Sequence, residues 1–177
     1  SEVTNMKNLF RGKKDFNEDI SGWDVSSVTD MRSMFRADFN EATDSYYYSS
    51  FNQSLDSWDV SSVTDMKSMF EGASSFNQPL NSWDVSSVTI MNDIFKEASK
   101  FNGDISKWDV SSVTDMNDMF DEASSFNQNI NTKQVTADDS PTGVAYTAWD
   151  VSSVTNMNDM FNGASSFNQP LDSWDVS

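Results

Sequence analysis

The sequence predicts an α/β repeat solenoid: a single domain over residues 1–177, built from six copies of a 25-residue coil, each with a short parallel strand and a short helix. Three observations predict it. The tryptophans Trp23, Trp58, Trp83, Trp108, Trp149 and Trp174 are spaced by 35, 25, 25, 41 and 25 residues, so the basic period is 25. The string WDVSSVT recurs at Trp23, Trp58, Trp83, Trp108 and Trp149, and WDVS closes the chain. Within each copy the apolar spacing changes from a period of two to a helical one.

The copy from Leu55 to Pro79 shows the change most clearly. In Leu55-Asp-Ser-Trp58-Asp-Val60, Trp58 and Val60 share one face and Ser57 and Asp59 the other, which predicts a short half-buried strand. Met66, Met69, Phe70 and Ala73 then fall at i, i+3, i+4 and i+7, one apolar stripe of a helix. Thr64 suits its N-cap, with Asp65 in the first turn where the helix dipole favours negative charge. Ser-Ser-Phe-Asn-Gln-Pro ends the helix, and Pro79 keeps Gln78 extended. So short a unit cannot bury its own apolar face, whereas stacked copies can.

Two insertions interrupt the period. The first, at about residues 38–50, holds Tyr46-Tyr47-Tyr48. The second, at about 131–148, places Lys133 where a tryptophan is due. It sets Val135-Thr136-Ala137 and Val144-Ala145-Tyr146-Thr147 around Asp-Asp-Ser-Pro-Thr-Gly, which predicts a β-hairpin with a longer turn. The first copy enters at Val3-Thr4-Asn5-Met6 and the last stops at Trp174-Asp175-Val176-Ser177. The expectation is a portion of a longer array; the alternative is that WDVS of one chain meets SEVT of the next.

Composition excludes several functions. With no cysteine and no histidine, thiolate zinc sites, disulfides and Cys or His nucleophile–base pairs are ruled out. A net charge of −17 repels nucleic-acid phosphates and anionic membranes, so neither nucleic acid nor direct membrane insertion is expected. Charge is uneven: Lys7, Arg11, Lys13, Lys14, Arg32 and Arg36 balance the acids of the first modules, whereas no basic residue follows Lys133.

The aspartate after each tryptophan (Asp24, Asp59, Asp84, Asp109, Asp150, Asp175) forms a column that on stacked strands would have a spacing of about 4.8 Å. It can be read as a ladder for Ca²⁺ or as a set of Asx-turns onto the serines that follow; the DVSSVTD spacing is not that of an EF-hand, which favours the turns. Asn17, Asn52, Asn77, Asn102, Asn127 and Asn168 read as a buried amide ladder, and the Met and Trp columns as core. No catalytic residue and no obligatory cofactor is expected, because a uniform column of acids lacks the divergent environments that acid–base chemistry needs. Candidate partner contacts are Tyr46, Tyr47 and Tyr48 in the first insertion, and Lys133, Asp138, Asp139 and Tyr146 in the second.

The spacing L-x-x-W-x-V with a following helix resembles the L-x-x-L-x-L strand of leucine-rich repeats. The fuller string, WDVSSVTDM-x-x-MF-x-x-A-x-x-FNQ-x-L, resembles the BspA-like repeats of bacterial surface proteins and mycoplasma-type lipoproteins. Trp58, Asp59, Val60, Met66, Met69, Phe70, Ala73, Phe76 and Asn77 carry the match, which covers nearly all the chain outside the insertions. The resemblance implies a right-handed, leucine-rich-repeat-like coil in an extracellular or cell-surface protein. It also implies a non-enzymatic adhesion module that binds protein or glycan through the strand face and the insertions. The rival expectation is a structural spacer or filament subunit, stacking head to tail through uncapped ends.

Overall fold

The computed structural model describes residues 2–42 and 45–177, with backbone alone for Phe39, Asn40, Ser45 and Tyr46. Successive modules lie in register. Parallel bridges link Asn5, Asp30, Asp65, Ile90, Asp115 and Asn156 in turn, one contact per module.

The strand-and-helix coil of the α/β leucine-rich-repeat-like solenoid does not form. Among the described residues there is no α-helix, and the strands are β1 (Asp38–Asn40), β2 (Ser45–Tyr47), β3 (Lys133–Val135) and β4 (Tyr146–Ala148), paired as two antiparallel hairpins inside the insertions. The segment expected to be helical is a run of tight turns. Met69, Glu71 and Ala73 N–H donate to the carbonyls of Met66, Ser68 and Phe70 at 3.1, 3.2 and 2.9 Å. The intervening N–H groups of Met66, Ser68, Phe70 and Gly72 donate instead to Ile90, Asn92, Ile94 and Lys96 of the next module, at 3.1, 3.0, 2.9 and 2.8 Å. A helix capped at Thr64 would keep the Ser68, Phe70 and Gly72 donors within itself.

The backbone explains the choice. Ser68 has φ 55° and Gly72 φ 69°, both left-handed, and Asn8, Ser33, Asp93, Asp118 and Asp159 repeat the first of these. Short polar residues and glycine tolerate that region, and they disfavour helix interiors. A helix of this length is marginal alone, while the neighbouring module offers a row of carbonyls. Thr64 is accordingly not an N-cap: its Oγ1 donates to Thr29 O of the preceding module at 3.3 Å. The expected strand Leu55–Val60 opens instead on a turn, closed by Trp58 N–H to Leu55 O at 3.0 Å, and a second turn follows it, closed by Val63 N–H to Val60 O at 2.9 Å.

The core is a set of aromatic and aliphatic columns. Phe35, Phe70, Phe95 and Phe120 stack with ring centroids 5.5, 5.6 and 5.8 Å apart. Phe51, Phe76, Phe101 and Phe126 form a second file beside them at 6.1, 6.0 and 5.9 Å. Trp83, Trp108 and Trp149 stack at 6.5 Å, and each is buried. Each indole N–H donates one module back: Trp83 to Leu55 O, Trp108 to Leu80 O and Trp149 to Ile105 O, at 2.8, 2.9 and 2.9 Å. The tryptophan column thus passes over Lys133 and resumes at Trp149, leaving the second insertion as an excursion from Ile130.

Candidate binding surface

The repeating polar groups are consumed by the stack. Asp59 Oδ1 accepts from the backbone and hydroxyl of Ser61 at 3.1 and 2.6 Å. Asp24, Asp84, Asp109 and Asp175 hold Ser26, Ser86, Ser111 and Ser177 in the same way, and Asp150 accepts the backbone N–H of Ser152. The hydrogen bonds from serine hold the Asp24 and Asp175 carboxyls below the usual carboxylate range. Each aspartate is the acceptor of an Asx-turn, and among the described residues no three acidic side chains converge as a metal site would require.

The asparagines form a ladder, with Asn52, Asn77, Asn102, Asn127 and Asn168 N–H each donating to the Oδ1 of the asparagine one module back at 2.8–2.9 Å. The ladder is at the surface rather than buried: Asn17, Asn77, Asn102 and Asn168 are exposed. Its carbonyl acceptors point along the stack, so the amides need no dry interior to pair.

The first insertion is the β1–β2 hairpin, with Phe39 opposite Tyr46. The side chain of Tyr46, one of the candidate contacts, lies outside the described residues. Tyr47 and Tyr48 are about half exposed, at 50% and 48%. Tyr48 Oη donates to Glu97 Oε2 at 3.2 Å, so this hairpin reaches across an intervening module. Burial, and then the Glu97 charge, push the Tyr48 phenol up; burial also raises Glu97. Arg11 Nε donates to Asp38 Oδ1 at 2.9 Å at its base.

The second insertion is the β3–β4 hairpin, with Val135 opposite Tyr146 and a 3₁₀ turn at Ala137–Asp139. The hairpin expected from the sequence forms, with its pairing displaced toward the base, to Lys133–Val135 and Tyr146–Ala148. It lies back along the tryptophan–aspartate turns of earlier modules. Lys133 Nζ reaches Ser106 Oγ at 3.0 Å, Lys107 Nζ reaches the Asp139 carbonyl at 3.2 Å, and the Tyr146 hydroxyl donates to Lys107 O. Three of the four candidates here therefore anchor the hairpin, while Asp138 is exposed. Sequence reasoning missed the tip. Pro141, Thr142 and Val144 roof a cleft of about 100 Å³ whose other walls are Trp83, Asp84, Val85, Ser86, Asp109 and Tyr146. No local signal connects Val144 with Asp84, which belong to modules two periods apart.

Fold and surface together define a repeat protein: a stack of turn-built modules, with no α-helix among the described residues, that carries two hairpins on its sides. A family model described as "Mycoplasma protein of unknown function, DUF285" matches residues 1–47, 38–144 and 144–177, and the chain belongs to that family. No curated protein and no solved structure matches it.

Proposed function

We propose that this protein is a non-enzymatic binding module, displayed on a bacterial surface or secreted, which engages a protein or glycan through its two hairpins. The observation that carries this reading is the contrast between stack and hairpins. The repeated Asn, Thr and Trp polar groups are bonded module to module and the repeated Asp to the serine of its own turn, whereas the hairpins expose Tyr47, Tyr48 and Val144, side chains of the kind that anchor interfaces. The resemblance to BspA-like surface repeats supports the location. The rigid columns make the body a scaffold, since a packed aromatic core holds loops in fixed relation.

The test is binding of the purified chain to an array of glycans and extracellular-matrix proteins. Serine at Tyr47 and Tyr48, or glycine-serine in place of residues 138–145, should weaken capture while leaving the thermal unfolding of the stack nearly unchanged. Undiminished capture by both variants would move the interface off the hairpins.

A further inference from the structure

The cleft under the second hairpin has a defined chemistry. Its volume, about 100 Å³, is well below that of a small-molecule pocket and suits the head of one side chain. Asp84 and Asp109 stand on adjacent modules, whose Trp83 and Trp108 rings are 6.5 Å apart. Both carboxylates accept from their serines through Oδ1, and among the described residues neither has another hydrogen bond or a salt bridge. Lys107, two residues before Asp109, pairs instead with Asp139 of the hairpin at 3.5 Å. The neighbouring wall toward the preceding module adds Asp59 and Asp56 to the same face. Tyr146 is held by its hydroxyl on Lys107 O, which leaves its ring as a fixed wall of the cleft. Its phenol is pushed up to about 12, first by burial and then by the charges of Asp109 and Asp84, in keeping with a negative field there.

We propose that this cleft receives one arginine side chain of a partner protein, its guanidinium set between Asp84 and Asp109 and against the ring of Tyr146. A planar fork with several donors can serve two carboxylates one module apart, and it stacks on an aromatic face; a lysine ammonium serves one point. The inference rests on the binding-module reading and gives it a partner chemistry.

The experiment uses the full chain, labelled for amide NMR, and a capped Gly-Arg-Gly peptide at low ionic strength. Saturable shifts are expected at Ser86, Ser111, Val144 and the Trp83 indole N–H. Affinity should fall about tenfold or more for the neutral, isosteric citrulline peptide, and fall again as salt is raised. Asp84→Asn with Asp109→Asn should lose the shifts while each asparagine Oδ1 still caps its serine. Val144→Arg, at a position 65% exposed, places a guanidinium at the cleft from the chain itself and should block the peptide without touching those turns. Equal binding of the citrulline peptide, shifts located elsewhere, or no saturable shift at low salt would overturn the proposal. A lysine peptide binding as tightly would overturn the guanidinium assignment. If array capture is lost on replacing residues 138–145 but survives Asp84→Asn with Asp109→Asn, the surface-binding reading stands and the arginine receptacle falls.

Discussion

Replacing Gly72 by alanine separates a turn-built module from a helical one by the sign of its effect. In an exposed helix, alanine for glycine stabilises by roughly 1 kcal/mol. In the observed structure Gly72 has φ 69°, where an L side chain costs roughly 1–2 kcal/mol. An added Cβ would also stand 2.5 Å from the Ala37 Cβ. The backbone cannot easily retreat, since Gly72 N–H donates to Lys96 O at 2.8 Å and its carbonyl accepts from Ser49 at 3.1 Å. Overpacking of this kind costs about 1–3 kcal/mol, so the variant should lose about 2–5 kcal/mol in all. Urea unfolding followed by tryptophan fluorescence measures the difference. The converse substitution applies in the same column, where Glu122 has φ 57°. Glu122→Gly relieves the left-handed cost but loosens the unfolded chain, for a net gain of about 0.5–1 kcal/mol. A stabilised Gly72→Ala protein would refute the turn-built account.

Trp108→Phe keeps an aromatic ring in the column but removes the indole donor 2.9 Å from Leu80 O, leaving that carbonyl the Trp83 N–H at 3.1 Å; a loss of about 0.5–1.5 kcal/mol from the hydrogen bond is expected in the same assay. Asp59→Ala removes both hydrogen bonds to Ser61 and should cost about 0.5–1.5 kcal/mol, with Asp59→Asn recovering most of it, as read from melting curves. Asp93 is raised from its ordinary 3.8, first by burial and then by Glu71, with Asp118 adding to the rise and Lys67 and Lys96 opposing it. The folded state therefore binds its proton at a higher pH than the unfolded chain, and the penalty on folding is in full force above the folded pKa and relieved as pH falls through it. Asp93→Asn should raise the Tm at neutral pH, and that advantage should vanish below about pH 4. A pH-independent difference between the two proteins would reject burial of this carboxylate as the cause.

The period, the residues of each column and the second hairpin were all legible in the sequence. Stacking in register puts equivalent residues on top of each other, so tryptophan spacing alone predicts which indoles meet. The Asp-x-Ser turns were legible too, because an Asx-turn is a contact between residues two apart. The helix was misread because a run of overlapping four-residue turns brings Met66, Met69 and Ala73 to one side much as a helix does. The contrary signal was present in the column of Asn8, Ser33, Ser68, Asp93, Asp118 and Asp159, residue types that accept φ near +60°.

What the sequence determined by itself is therefore the repeat, its columns and the places where it is broken, since these depend on identity and spacing along the chain. Only the tertiary structure decided where half of the backbone donors go: at Ser68, Phe70 and Gly72 the next module's carbonyls take the place of the helix's own. That choice depends on a neighbour 25 residues away being in register. The structure alone also laid the second hairpin over Trp83 and Asp84, because packing across modules is set by the shape of the assembled stack and leaves no local pattern in the insertion.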